Sequence, residues 1–282
     1  MGFLQWLRVV ILGIVEGITE WLPISSTGHL QLMNRIWPGD PAVFTPAFTS
    51  MFDVIIQLGA ILAVITTYFH KLNPVSSYKT SEQKKGTWLL WAKILIASLP
   101  AAIVGIPLDD WIDAHLDSPW IMASMLIFYG AVFIVVELIR RKKEPTITRT
   151  ADLTFKAAVI IGCAQILALV PGTSRSGITI IAALLIGVSR SISAEFTFFV
   201  AIPVMLGASA LKFFKYVFVD NIRMTGVQWI VLVVASAVAY AVSMLVIRAV
   251  MKFLKKHDFI PFGIYRIVFG VVIILVFALF FH

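Results

Sequence analysis

Six separate stretches of this chain carry about 20 consecutive, predominantly apolar residues, the length of helix that crosses the hydrocarbon core of a bilayer. They fall near residues 48–69, 88–107, 120–139, 195–216, 227–250 and 261–281. A water-soluble fold cannot hide six such runs. Of the 282 residues, 60% are hydrophobic and 13% are charged, against about 25% charged in a typical soluble domain. An all-α polytopic membrane protein is the fold class that follows, because a helix satisfies its own backbone polar groups in lipid. The net charge of +8 does not point to nucleic acid. The basic residues sit in short loops between apolar runs, where they set orientation, so nucleic acid is not expected as a partner and membrane lipids are. The single cysteine, Cys163, allows no disulfide within one chain and reads as a small packed side chain. The first segment lacks a small-residue cleavage site and is not expected to be a cleaved signal peptide.

Two further stretches, about 6–34 and 153–190, start apolar, break at Pro, Gly and Ser, and return. Irregular backbone at membrane depth survives only where protein or a water-filled cavity satisfies it. Both are therefore expected to be re-entrant helical hairpins. Loop charge agrees. With both hairpins re-entrant, the loops holding Lys71, Lys79, Lys84 and Lys85, then Arg140–Lys143, then Lys252, Lys255 and Lys256 share one side. The acidic loop with Asp109, Asp110, Asp113 and Asp117 lies on the other, which the positive-inside rule makes the outside, with both termini.

"LGIVEGITEWLPISSTGHL" (12–30) aligns with "IGCAQILALVPGTSRSGIT" (161–179), placing Gly13 on Gly162, Glu16 on Gln165, Ser25 on Ser174 and Gly28 on Gly177. The expected organisation is an inverted-topology repeat: residues 1–139, a basic cytoplasmic linker 140–151, and residues 152–282. Each half would hold one hairpin and three spans.

The chemistry-bearing residues gather in the two breaks. Glu16 and Glu20 share a helix face. Each ionised carboxylate costs about 2.5–3.5 kcal/mol in a membrane, which a divalent cation, Mg²⁺ or Ca²⁺, would offset. In "PISSTGH", Pro23 ends the helix and Ser25, Ser26, Thr27 and His29 follow. Ser26 could be a nucleophile served by His29, or His29 the nucleophile itself. In "PGTSRSGIT", Arg175 is the sole charge between Lys156 and Arg190 and suits phosphate, with hydroxyls from Ser174, Ser176 and Thr179 beside it. A structural Arg175 paired with Glu16 or Glu20 is the alternative. Gln57, four residues after Asp53, reads as a minor contact. Glu195 reads as a first-turn acid after an N-cap Ser193, and Pro100 and Pro203 as kinks.

"EGITEWLPISSTGH" and "PGTSRSGIT", with "FDVIIQLGAILAV" (52–64), "GVSRSISAEFTFFVAIPVMLGA" (187–208) and "FIPFGIYRIVFG" (259–270), closely resemble the undecaprenyl-pyrophosphate phosphatases, also called bacitracin-resistance proteins. The resemblance covers nearly the whole chain. It implies an enzyme of the bacterial cytoplasmic membrane, with its site open to the periplasmic side. Such an enzyme removes the terminal phosphate of a C55 polyprenyl diphosphate, recycling the carrier for peptidoglycan synthesis. By matched position it implies Glu16 and Glu20 as the acidic pair tied to a divalent metal and to catalysis. Ser26 and His29 become nucleophile and acid/base in an order left open, and Arg175 with Ser174 and Ser176 the phosphate grip. It also implies a homodimer. A polyprenyl-phosphate transporter or scramblase is the alternative that an inverted repeat around a polar centre allows.

Overall fold

The computed structural model describes residues 1–280; the end of the run at 261–281 and His282 lie outside the described residues. Among the described residues the chain is helical, with a single isolated bridge between Ile147 and Val188 in place of any strand. The elements are α1 (Phe3–Thr19), α2 (Ser26–Ile36), α3 (Pro46–Ile55), α4 (Gln57–Thr67), α5 (Phe69–Leu72), α6 (Ser81–Leu116), α7 (Pro119–Arg140), α8 (Phe155–Gln165), α9 (Arg175–Leu185), α10 (Arg190–Phe214), α11 (Gly226–Phe253) and α12 (Ile260–Phe280). Among the described residues, six paths are long and apolar enough to cross a membrane: α3 with α4, α6, α7, α10 with its π-helical end to Val219, α11 and α12. The chain is a multi-pass membrane protein.

Local chemistry sets many of the starts. Thr80 and Gln83 form a reciprocal capping box at α6, and Thr225 and Gln228 do the same at α11, each satisfying amides the helix leaves open. Thr45 caps α3, whose first residue is Pro46, where the missing N–H is no loss. α6 runs for 36 residues, roughly 54 Å, so it outreaches the bilayer core. Asp109, Asp110 and Asp113 accordingly lie on its last turns rather than in the loop expected, and Lys212 and Lys215 near the end of α10 pair with them. His70 and His115 are likewise helical, in α5 and α6. Pro100 and Pro203 do lie inside helices, as does Pro107.

Two other expectations change. Ser189, not Ser193, occupies the N-cap position of α10, so Glu195 sits inside that helix. There it is buried and accepts from Lys71 Nζ and Thr150 Oγ1, joining α5, the linker and α10. Cys163 is exposed on α8 rather than packed.

The helices are interleaved. α1 packs along α11, α8 along α6, and α7 along α12, while α4 lies on α11 and α10 on both α4 and α6. Lipid tails are as apolar as leucine, so association rests on close fit rather than on escape from water. At Gly59 a Cβ would lie 2.0 Å from the Ser236 carbonyl oxygen of α11, so only glycine lets α4 approach. Gly59→Ala should therefore destabilise the protein by about 1–3 kcal/mol or more through overpacking. Thermal unfolding in detergent measures this, and an unchanged midpoint would contradict the contact.

Candidate functional site

The two breaks are built alike. α1 stops at Thr19, whose hydroxyl bonds back to Val15 O, and Pro23 lies in the turn that follows. α8 stops at Gln165, passes through one tight turn (Ile166–Leu169), and reaches Pro171 and Gly172 at φ +89°. Each new helix is then capped by a serine in an unusual backbone conformation: Ser25 at φ 73° before α2, and Ser174 at φ 68° before α9. Their hydroxyls accept from Gly28 N at 3.4 Å and Gly177 N at 3.2 Å. A non-glycine residue held at positive φ costs of order 1–3 kcal/mol and persists only where its surroundings impose it.

Arg266 of α12 braces both breaks. The side chain is fully buried. Its Nη1 donates to Pro23 O at 3.1 Å, and its Nη2 to Gly172 O and Thr173 O, both at 2.9 Å. One guanidinium thus satisfies carbonyls freed by both breaks. Trp21, also buried, meets Phe198 of α10 edge-on at 5.1 Å and fixes the first turn from the other side.

Held this way, the breaks bring Glu20, Ser26 and Arg175 into direct contact. Ser26 Oγ donates to Glu20 Oε2 at 2.5 Å, and Arg175 Nη2 donates to Glu20 Oε1 at 2.8 Å. Arg175 Nη1 donates to Thr197 O at 3.0 Å, which aims the guanidinium. Glu20 is 7% and Arg175 13% exposed, so this ion pair is largely out of water. Both carboxylate oxygens of Glu20 are engaged, one by the hydroxyl and one by the cation. Such an arrangement can draw a proton from Ser26 while Arg175 stands ready for a second anion.

His29 is turned elsewhere. Its Nδ1 lies 2.7 Å from Ser25 O, an acceptor only, so Nδ1 carries the proton and donates. Nε2, 2.7 Å from the Tyr265 hydroxyl, then accepts from it. The ring stacks on Phe269 at 3.9 Å between centroids. Ser26 thus bonds to Glu20 and His29 to Tyr265, not to one another.

The remaining hydroxyls divide. Ser176 donates to Leu22 O across the two breaks at 3.3 Å and lies 3.3 Å from Ser174 Oγ. Thr179 is fully buried, bonding back to Arg175 O and meeting Thr197 Oγ1 at 2.9 Å, so it supports Arg175 from behind. Thr27 is exposed on the first turn of α2, and Gln57 is half-buried where α4 begins.

Glu16 tests the fit for a divalent cation. It is fully buried, neither carboxylate oxygen has a partner, and the charges of Glu20, Asp53 and Arg175 act on it. A buried carboxylate left alone is costly, and bare oxygens are the donors a hard divalent cation takes. Among the described residues no group of three or more His, Cys, Asp and Glu side chains is gathered to hold an ion. A cation here would complete its shell with water and phosphate oxygens, as Mg²⁺ does when bound by one or two carboxylates. The oxygens present fit such an ion.

Residues 9–272 match the family described as "Bacitracin resistance protein BacA". The chain belongs to this family. It is 49% identical over 97% of its length to an undecaprenyl-diphosphatase of Enterococcus faecalis strain V583, covering 98% of that protein. It is equally 49% identical, over 97% of its length, to an undecaprenyl-diphosphatase of Streptococcus mutans, covering 96% of that protein. An undecaprenyl-diphosphatase of Lacticaseibacillus paracasei is 49% identical over 96% of the chain, with 97% of that protein covered.

Sequence reasoning passed over four residues of this BacA-family structure: Tyr265 and Arg266 beside the breaks, and Arg8 and Asn34, which link α1, α2 and α3. Arg266 carried a usable signal. A charge inside the apolar run "FGIYRIVFGVV" is expensive in lipid and has to find partners within the protein. Arg8 in "WLRVVIL" carries the same signal. Asn34 and the phenol of Tyr265 carry none, since both residue types are ordinary near a membrane surface.

Proposed function

We infer that this protein is a membrane phosphatase that hydrolyses undecaprenyl diphosphate to undecaprenyl phosphate and inorganic phosphate. The activity regenerates the lipid carrier of peptidoglycan synthesis and gives resistance to bacitracin. The observation that carries the reading is the Arg175–Glu20–Ser26 contact, a hydroxyl, a carboxylate and a guanidinium joined at membrane depth. The names of relatives at 49% identity over nearly the full chain supply the substrate.

The chemistry follows from those groups. Ser26 Oγ attacks the terminal phosphorus and its proton passes to Glu20. The bond from that phosphorus to the bridging oxygen breaks, and undecaprenyl phosphate departs. Water then attacks the phosphoserine and the bond from its phosphorus to Ser26 Oγ breaks; Glu20 returns its proton to Ser26 Oγ, takes one from the attacking water and releases that proton to solvent as inorganic phosphate leaves. Arg175, freed from Glu20 as the carboxylate becomes protonated, holds the non-bridging oxygens and stabilises charge that grows in the transition state. Ser174, Ser25 and the amides at the start of α9 and α2 add donors beside it. Glu16 is the primary residue to hold a divalent cation, which when bound supplies charge neutralisation on the diphosphate. Ser26 is favoured over His29 as nucleophile because its hydroxyl already meets a carboxylate, whereas His29 Nε2 is occupied by Tyr265.

The two hairpins are read as re-entrant and the chain as an inverted repeat of 1–139 and 152–282 joined by the basic linker. The crosswise packing of α1 on α11 and α8 on α6 supports this, as do the matched serine caps. So do Gly13 and Gly162, where a Cβ would come within 2.6 Å of Ala235 O and 2.5 Å of Ala97 O respectively. The distribution of basic loops supports a bacterial inner-membrane protein with its site open to the periplasmic side and the linker in the cytoplasm. A homodimer is the expected assembly.

The test is phosphate release from undecaprenyl diphosphate by the purified protein. Arg175→Ala should lower kcat/KM by about 10²–10³-fold, the scale of losing one charge-stabilising donor. Release unaffected by this change would overturn the assignment.

A further inference from the structure

Glu16 is not the sole buried carboxylate with an oxygen to spare. Asp53 of α3 accepts from Asn34 Nδ2 through Oδ2 at 2.7 Å, while its Oδ1 is buried and has no partner. The Asn34 amide cannot turn to serve it. Its Oδ1 accepts from Arg8 Nη2 at 2.5 Å, and Arg8 is locked in turn by Trp37 O at 2.7 Å and by the ring of Phe44, 4.2 Å away. Arg8 is 1% exposed. A rigid chain from Arg8 through Asn34 therefore fixes one Asp53 oxygen and leaves the other free. A carboxylate with one oxygen hydrogen-bonded and the other bare is the usual state of a metal ligand oriented by its neighbours.

Glu16 continues the α1 stripe of Val9 and Leu12, which shares a buried cluster with Met51 and Phe52 of α3, so it lies toward Asp53 with two bare oxygens of its own. The like charges of Glu20 and Asp53 act on Glu16, and Arg175 alone opposes them there. Glu20 has nothing to give, since Ser26 and Arg175 take both its oxygens.

We propose that the divalent cation is held by Glu16 together with Asp53 and that Glu20 is not a ligand. This refines the cation reading given above and rests on it. It separates two tasks that the i, i+4 acid pair suggests are shared: Glu16 and Asp53 bind the ion, and Glu20 handles the proton of Ser26.

Mn²⁺ binding to the full-length protein, stripped with chelator in detergent and followed by electron paramagnetic resonance, tests this without reference to turnover. Wild type should bind Mn²⁺, and Glu20→Gln should bind it with affinity within about threefold of wild type, because the engaged carboxylate is not lost from the shell. Asp53→Asn should bind at least about tenfold more weakly. The asparagine can still accept from Asn34, and removing one of two facing carboxylates relieves their repulsion, so metal-free Asp53→Asn should unfold at a higher temperature than metal-free wild type. Wild-type affinity in Asp53→Asn, or equal loss in Glu20→Gln, would overturn the assignment. So would a lower unfolding temperature for metal-free Asp53→Asn, which would make Asp53 a prop for the fold. Absence of Mn²⁺ binding in wild type would overturn the cation reading itself. Failure of the diphosphatase reading would instead appear as Mn²⁺ binding that follows this pattern with no phosphate release.

Discussion

Glu20→Gln should lower phosphate release by about 10²–10⁴-fold, the span expected for removing a positioned general base. The amide keeps the shape of the side chain and can still accept from Ser26 or Arg175. It can neither take a proton from the Ser26 hydroxyl nor balance the Arg175 guanidinium. Glu20 and Arg175 are 7% and 13% exposed, so the change also leaves a largely buried cation unpaired. Breaking a buried pair from one side typically costs about 3–5 kcal/mol. Both effects come from one atom replacement, and two readouts separate them. Single-turnover kinetics report the chemical step, and thermal unfolding in detergent reports the pair. A variant with near-native turnover would remove Glu20 from the reaction, whatever happened to stability.

Arg266→Met should be nearly as damaging although Arg266 touches no reacting atom. The methionine fills a similar volume in the apolar interior of α12, so the loss is polar. Pro23 O, Gly172 O and Thr173 O would each be left without their Arg266 donor. An unsatisfied buried acceptor costs about 1–3 kcal/mol. Neither serine cap should hold its positive φ without that restraint, and with the caps go the positions of Ser26 and Arg175. The expected result is a protein that inserts in the membrane, unfolds at a markedly lower temperature and releases little phosphate. Full activity in Arg266→Met would show that the breaks hold themselves.

The spans and the breaks were legible because lipid imposes simple rules. Twenty apolar residues must be a helix, and proline, glycine and serine inside such a run must mark a break sheltered by protein. Helix ends were less so. α6 overshoots its apolar run because Asp109, Asp110 and Asp113 continue the helix outward to meet Lys212 and Lys215, a pairing across about a hundred residues. Glu195 reads locally as a first-turn acid. Its true neighbours, Lys71 and Thr150, lie on other elements.

The site divides along the same line. Glu20, Ser26 and Arg175 stood out because ionisable and hydroxyl groups are rare at membrane depth. Which of them touch could not be read from spacing. Ser26 and His29, three apart on α2, suggested a nucleophile and its base, yet Ser26 turns to Glu20 and His29 to Tyr265 of α12, 236 residues away. Arg266 and Arg8 were visible as charges in apolar runs, but their roles depend on carbonyls and amides that only the fold assembles.

The central claim is that Ser26, with Glu20 as its base, makes the first bond to phosphorus. The direct measurement is to mix the enzyme with undecaprenyl diphosphate labelled in its terminal phosphate, quench within one turnover, and map the label by mass spectrometry. The account predicts phosphoserine at Ser26, in an amount that falls to background in Glu20→Gln. Phosphohistidine at His29, or release of labelled phosphate with no protein-bound label at any time, would contradict it.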